Sequence, residues 1–132
     1  MKTKAVRIHG ESDLRLEEFA LPEIKEDEIL ARVVSDSICM SSHKLAVQGA
    51  KHKRVRHDLT KNPVMIGHEF CGVIEKVGAK WAQKFCAGSK FAIQPALNYP
   101  NEQGQATLWA PGYSYEYIGG DATYITIPKE VM

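Results

Sequence analysis

The sequence predicts a mainly β fold, a closed or partly open β-barrel with only short helices. Apolar residues fall in short runs, the runs alternate with polar residues or are rich in β-branched side chains, and glycines and prolines separate them along the whole chain. Many short strands with recurring turn signals are typical of barrels, in which closure of the sheet removes exposed edges. Helix signals are few, so we expect short helices.

Six runs carry the strand signal. The first two alternate apolar and polar residues, and a glycine follows the first as a turn signal. The third and fourth are longer and rich in Val and Ile, and a glycine closes the fourth. In chain order the runs lie at residues 6–9, 14–17, 28–37, 70–77, 91–93 and 122–127.

One short helix is expected between the third and fourth strands. Ser41 or Ser42 is predicted to cap it, and Gly49 is predicted to end it. The segment 94–120 has no clear period and is interpreted as a long functional or subdomain loop. Its aromatic residues either wall a substrate cleft or pack the loop, and the sequence favours neither. These aromatic residues are Trp109, Tyr113, Tyr115 and Tyr117.

The bulk properties fit one ordinary globular domain. The 132 residues allow a sizeable core, and 44% apolar with 25% charged residues is an average composition. The net charge of +1 offers no basic excess for a phosphate backbone, and no run approaches the roughly 18 apolar residues of a membrane span. We therefore expect neither nucleic acid nor membrane as a partner. Three cysteines without a C-x-x-C pair indicate a reducing, cytoplasmic location.

Two short segments carry metal-ligand chemistry. Cys39 follows the third predicted strand, and His68 and Glu69 precede the fourth, directly after Gly67. If these strands pair, the three side chains converge at one end of the barrel. Taken singly, a free cysteine is more often a small buried hydrophobe, and a lone histidine is more often a locally bonded loop residue. Together, thiol, imidazole and carboxylate favour a catalytic zinc site.

The run from Gly67 to Gly78, GHEFCGVIEKVG, resembles the zinc signature of the medium-chain dehydrogenase/reductase family, the zinc alcohol and polyol dehydrogenases. The leading hairpin, the cysteine motif, the AGSKF segment and the closing strand follow in the family's order, so the resemblance covers the whole chain. The tracts at 35–42, 111–114 and 118–120 are similar to the sorbose-1-phosphate reductase group within that family. The resemblance implies a GroES-like, partly open barrel over residues 1–132.

The resemblance also implies roles for individual residues. In the family the motif cysteine and histidine bind the catalytic zinc, which implies Cys39 and His68 as ligands. Glu69 matches the glutamate that lies beside the zinc or approaches it. Ser41 matches the hydroxyl residue that hydrogen-bonds the substrate oxygen and starts a proton relay. Ser41 and Glu69 are therefore the expected catalytic residues, and Glu69 is also a candidate metal ligand.

The implied activity is that of a zinc-dependent NAD or NADP oxidoreductase, which interconverts a polyol or sugar-phosphate alcohol and its ketone. No glycine-rich dinucleotide fingerprint occurs in the sequence. The resemblance implies that the nucleotide-binding domain and the third zinc ligand lie beyond Met132, so this chain alone is expected to be inactive. We expect the full-length enzyme to be a homo-oligomer.

The chain departs from the family pattern at the proton relay. Ser42 stands where the family often has Asp, Lys44 stands where it has His, and His43 lies one position early. The cysteines of the family's structural zinc lobe are also missing between the fifth and sixth predicted strands. We therefore expect no structural zinc, and the two remaining cysteines match no ligand position.

Residues 51–57, KHKRVRH, form a basic run between the two zinc motifs. Short charge runs are usually solvated surface loops. The alternative is a phosphate site, because arginine forks match phosphate geometry, and Arg54 and Arg56 are its candidate residues. A phosphate site would agree with a phosphorylated sugar as substrate.

Two other functions stay open at the level of sequence. A zinc-free reductase of the same family could use the same barrel, but the presence of both Cys39 and His68 argues against it. A GroES-like binding or oligomerisation module without chemistry gives no reason for Cys39, Ser41, His68 and Glu69 to fall at their motif positions. Fold alone does not exclude that module.

Overall fold

The computed structural model describes residues 1–100, 103–104 and 106–131, and most of its regular structure is strand. One helix, α1 (Met40–Gln48), and three short 3₁₀ turns complete the described elements. No helix among the described residues is long and apolar enough to span a membrane. The predicted mainly β class with short helices is confirmed. The strands are β1 (Lys2–Gly10), β2 (Asp13–Ala20), β3 (Ile29–Asp36), β4 (Val64–Met65), β5 (Phe70–Val77), β6 (Lys90–Ala92), β7 (Leu97–Pro100), β8 (Ala106–Trp109) and β9 (Tyr124–Ile127).

The strands form two main sheets and one ribbon. The first sheet has the order β2-β1-β4, the second β6-β5-β3-β9, and β7 pairs only with β8. A bridge between Ala5 and Ala122 joins the two main sheets, and Val6 N donates to Asp121 O at 2.8 Å beside it. The described strands do not close further into a complete barrel. The fold is therefore the partly open form of the predicted barrel.

The long predicted runs correspond well to strands, and the failures concern short or irregular pieces. β5 has the predicted bounds, and β3 lies within the predicted run. β4 was missed because two residues carry no periodicity, and the segment 94–120, interpreted as a loop, contains the β7–β8 ribbon. Alternation in the second run correctly predicts β2, yet Leu14 and Leu16 are exposed on it.

The start of α1 corrects the sequence interpretation. The N-cap is Cys39, with extended backbone, and neither Ser41 nor Ser42 caps the helix. The amides of Ser42 and His43 instead donate to the Cys39 carbonyl oxygen at 3.0 and 3.4 Å. Both serines thus lie in the first turn, with hydroxyls available for other contacts. Gly49 ends the helix as predicted, with a φ of 54° that glycine adopts without strain.

Two apolar clusters form the core. The larger one combines buried residues of both main sheets, among them Ala5 of the first sheet and Ala31 and Ile125 of the second. The smaller one packs Leu45 of α1 against Ile8 of β1. Both of these side chains are fully buried, and each such burial contributes roughly 1.5–3 kcal/mol. The smaller cluster therefore attaches the helix, and the cysteine that caps it, to the first sheet.

Gly72 offers a test of how closely β5 packs with its neighbours. Its backbone pairs with Val33 on one side and Phe91 on the other. A Cβ atom there would overlap the Arg32 carbonyl oxygen and approach the Phe91 ring to 2.9 Å. We expect Gly72→Ala to lower the free energy of unfolding by about 2 kcal/mol, measured by urea titration.

The matched control is Gly10→Ala at the end of β1, where an added Cβ meets nothing within 4 Å. We expect that substitution to change stability by less than about 0.5 kcal/mol. Equal costs for the two substitutions would show that the close approach around Gly72 does not constrain the sheet.

Candidate metal centre

The pairing of β3 with β5 brings the two sequence motifs together. Asp36, the last residue of β3, lies opposite Phe70, the first residue of β5. The pairing continues for one step beyond the strands, since Ser37 N donates to Glu69 O at 3.1 Å. Cys39 follows two residues later, and His68 precedes Glu69 directly. The convergence that strand pairing predicted is therefore present in the structure.

The ligand atoms of Cys39, His68 and Glu69 all lie within 4.8 Å of one another. In a tetrahedral zinc site the ligand atoms are about 3.5 Å apart, because the metal–ligand bonds are about 2.0–2.3 Å long. A modest movement of the three side chains would therefore bring them around one ion. Sulfur, imidazole nitrogen and carboxylate oxygen are all accepted zinc donors, so the residues fit the metal that the sequence implies.

Ser41 lies between the two principal donors. Its Oγ is 2.9 Å from Cys39 Sγ and 2.8 Å from His68 Nε2. Ser41 therefore uses its hydroxyl within the cluster, which explains why it does not cap the helix.

His68 is buried, with 5% of its surface exposed. Burial is the main cause that lowers the pKa of His68, and the positive charge of Arg54 lowers it further, while Glu69 acts in the opposite direction. The neutral imidazole that this favours is the form that binds metal. The ring packs against Tyr113 at 5.4 Å between centroids, and its buried Nδ1 has no hydrogen-bond partner among the described residues.

Glu69 is exposed, unlike His68 beside it. Its Oε2 accepts a short hydrogen bond from the Ser37 hydroxyl, which orients the carboxylate at the edge of the cluster. Glu69 can therefore approach a metal directly or act from beside it.

The loop that carries His68 packs closely against the end of β3. Gly67 has a φ of 94°, and an added Cβ would overlap the Asp36 carboxylate and lie 2.8 Å from the Gly120 amide nitrogen. Only glycine fits this position without strain. Burial and the nearby Asp121 carboxylate raise the pKa of Asp36 to about 6. The sequence analysis missed this carboxyl group, because nothing local to Asp36 indicates its burial.

A cleft of about 480 Å³ opens beside the cluster. This size is typical of small-molecule sites. Cys39, Ser42 and His43 line it, together with exposed apolar side chains of Ile38 and Met40. Lys44 is not among the described residues that line the cleft. The histidine on the cleft side of α1 is His43, which lies one position early in the motif.

The structure separates the two arginines of the basic run. Arg54 is half-buried, and its Cζ lies 5.3 Å from the centroid of the Tyr113 ring. Arg56 is exposed. Both arginines are equal candidates in the sequence, and only their burial in the fold distinguishes them.

The aromatic residues of segment 94–120 mainly pack. Tyr113 is 1% exposed and belongs to the smaller core cluster, while Tyr115 and Tyr117 pack against the larger one. The side chain of Trp109 lies outside the described part of the structure. Packing is therefore the better of the two interpretations for Tyr113, although its ring also contacts His68.

Residues 25–132 match the Alcohol dehydrogenase GroES-like domain, and the chain belongs to that family. This membership confirms the resemblance inferred from the GHE signature. A reductase and a dehydrogenase are among the proteins similar to this chain.

The similar proteins include sugar-phosphate enzymes. L-sorbose 1-phosphate reductase of Klebsiella pneumoniae is 52% identical over 98% of this chain and 30% of its own length. Mannitol-1-phosphate 5-dehydrogenase of Aliivibrio fischeri is 45% identical over 97% of this chain and 29% of its own length. The chain thus spans less than a third of these curated relatives.

The fold is also that of solved dehydrogenases. 2R,3R-butanediol dehydrogenase from Bacillus subtilis superposes with a TM-score of 0.77 over 98% of this chain and 39% of that chain, at 24% identity. A thermostable alcohol dehydrogenase from Pyrobaculum aerophilum gives a TM-score of 0.74 over 97% of this chain and 39% of that chain, at 20% identity. At these identities the likeness establishes the fold alone.

Asp36 makes the stability of the metal-free protein pH-dependent. Its pKa is raised on folding, so its contribution to stability is fully present below about pH 4 and is lost as pH rises through about 6. Asp36→Asn imitates the protonated form. We expect the wild type to lose roughly 1–3 kcal/mol of unfolding free energy relative to this variant between pH 4 and 7, by urea titration.

Asp13→Asn is the control, because Asp13 is exposed and its hydrogen bond with Arg15 lowers its pKa. That substitution should not reproduce the pH trend of Asp36→Asn. Parallel pH curves for the wild type and Asp36→Asn would contradict the proposed burial of this carboxyl group.

Proposed function

We propose that residues 1–132 are the catalytic domain of a zinc-dependent NAD(P) oxidoreductase that interconverts a polyol or sugar-phosphate alcohol and its ketone. The observation that carries this proposal is the cluster of Cys39, Ser41, His68 and Glu69 at the joined ends of β3 and β5. The substrate names of the reductase and dehydrogenase relatives support the substrate class.

Cys39 and His68 would hold the zinc ion, with Glu69 as an additional donor. When bound, zinc supplies a Lewis acid that polarises the alcohol or carbonyl oxygen and lowers the pKa of the alcohol. The nicotinamide cofactor supplies the hydride acceptor or donor. The protein must then bind and orient the substrate oxygen and carry away one proton for each hydride transferred.

Ser41 is placed to handle that proton. Its Oγ lies within 3 Å of both Cys39 Sγ and His68 Nε2, so its hydroxyl is close enough to the residues that would hold zinc to hydrogen-bond a substrate oxygen there. Ser42 and His43 line the adjoining cleft, which provides an exit for the proton on the same side of α1. His43 supplies an imidazole beside this route, whereas the motif position of the family's histidine holds Lys44.

This chain covers less than a third of the length of its relatives, and we assign the remaining functions to the part that those relatives have in addition. We propose that a following domain binds the nucleotide and contributes the third zinc ligand, because catalytic zinc sites usually have three protein ligands. The isolated 132-residue chain should therefore show no NAD(P)-dependent turnover of polyols or sugar phosphates, while the full-length protein should. Turnover by the isolated chain would contradict this division of labour.

The zinc assignment is tested by metal content. In the full-length protein we expect Cys39→Ser and His68→Ala to reduce bound zinc from about one ion per chain to a small fraction, because each removes a ligand. Cys71→Ser is the matched control, since Cys71 is exposed and lies outside the cluster, and it should retain zinc. Full zinc content in Cys39→Ser would contradict the assignment.

Ser41→Ala separates metal binding from proton transfer. The variant should keep its zinc, because Ser41 is not a proposed ligand, but should lose roughly 10²-fold or more in kcat, the usual scale for a lost proton-transfer group. The comparison requires zinc analysis and steady-state kinetics on the same sample. Unchanged kcat would remove Ser41 from the mechanism.

A further inference from the structure

Arg54 is a half-buried cation without a described counter-ion. Arg7, Arg15 and Arg32 each form an ion pair with a carboxylate, but no described acidic side chain lies within ion-pair distance of Arg54. Its Nε atom is buried and has no hydrogen-bond partner among the described residues. Burying an unpaired charge is costly, so such a group indicates a site for an anion.

Hydrogen bonds anchor the backbone of Arg54, and an aromatic ring contacts its guanidinium. Its backbone N–H donates to His52 Nδ1 at 3.2 Å, and its carbonyl oxygen accepts from Ser114 Oγ at 3.0 Å. His52 and Ser114 are themselves 7% and 2% exposed. The guanidinium lies over the Tyr113 ring, on which the His52 ring also stacks at 5.1 Å. This arrangement reduces the entropy that the side chain would lose on binding a ligand.

The same ring connects Arg54 to the candidate metal centre. The centroid of Tyr113 is 5.4 Å from the His68 ring and 5.3 Å from Arg54 Cζ. Three contiguous side chains thus carry buried polar atoms without described partners: Arg54 Nε, Tyr113 Oη and His68 Nδ1. The cation therefore lies one aromatic ring away from the residues that would hold zinc.

We propose that Arg54 binds the phosphate group of the substrate and that the enzyme acts on a phosphate ester in preference to the free polyol. The inference rests on the proposed function and names its substrate class. A guanidinium fork matches phosphate oxygens. Residues 51–57 contain no acidic residue, although Lys51 pairs with Glu11. We assign the role to Arg54 because it is half-buried, whereas Arg56 is exposed.

The test compares full-length Arg54→Gln with the matched control Arg56→Gln. L-sorbose 1-phosphate and unphosphorylated L-sorbose serve as the substrate pair, and inorganic phosphate serves as a binding probe by calorimetry. Arg54→Gln should lower kcat/KM for the phosphate ester at least about tenfold more than for L-sorbose, and should weaken phosphate binding about tenfold or more. Arg56→Gln should do neither. Zinc content, measured in parallel, should not change.

Arg54→Lys keeps the charge but loses the fork, so we expect an intermediate loss of phosphate binding. This variant also keeps the test usable if glutamine prevents folding. Equal losses for both substrates, or the same selective loss in Arg56→Gln, would overturn the inference and leave the proposed function intact. If the zinc-loaded wild type turns over no polyol or sugar phosphate, this pair included, the proposed function fails. The calorimetry tests the inference without any turnover: if Arg54→Gln binds phosphate as tightly as the wild type, the inference is overturned.

Discussion

The antiparallel pairing of β3 with β5 is the constraint on which the site depends. Each strand ends within three residues of a candidate ligand, so the pairing of Asp36 with Phe70 decides whether Cys39 and His68 meet. The register is irregular between Val33 and Ser35, and such bulges commonly occur near functional sites, where they redirect side chains. A slip of one residue would reverse the faces of the strand and separate the donors.

Core packing then fixes the positions of the side chains that the strand register brings together. Tyr113 is fully buried with Leu45 in the smaller cluster, and its ring contacts His68, His52 and Arg54. Tyr113 therefore packs against α1, the candidate ligand His68 and the basic run at residues 51–57. Burial also lowers the pKa of His68, which favours the neutral imidazole that metal binding requires.

The sequence predicted the parts of this site that depend on long strands and separate motifs. β5 was predicted with its observed bounds because eight residues rich in Val and Ile between glycines leave little ambiguity. The capping of α1 was predicted wrongly, because a serine can either cap a helix or bond a neighbouring histidine, and only the tertiary structure shows that Ser41 does the second. Arg54 and Arg56 are equivalent in sequence, and burial distinguishes them only after folding.

The most direct test of the metal centre is zinc K-edge X-ray absorption on the full-length protein. The account predicts a sulfur neighbour at about 2.3 Å and nitrogen or oxygen neighbours at about 2.0–2.2 Å in the wild type. A zinc spectrum without any sulfur neighbour would contradict the assignment of Cys39 and with it the central claim.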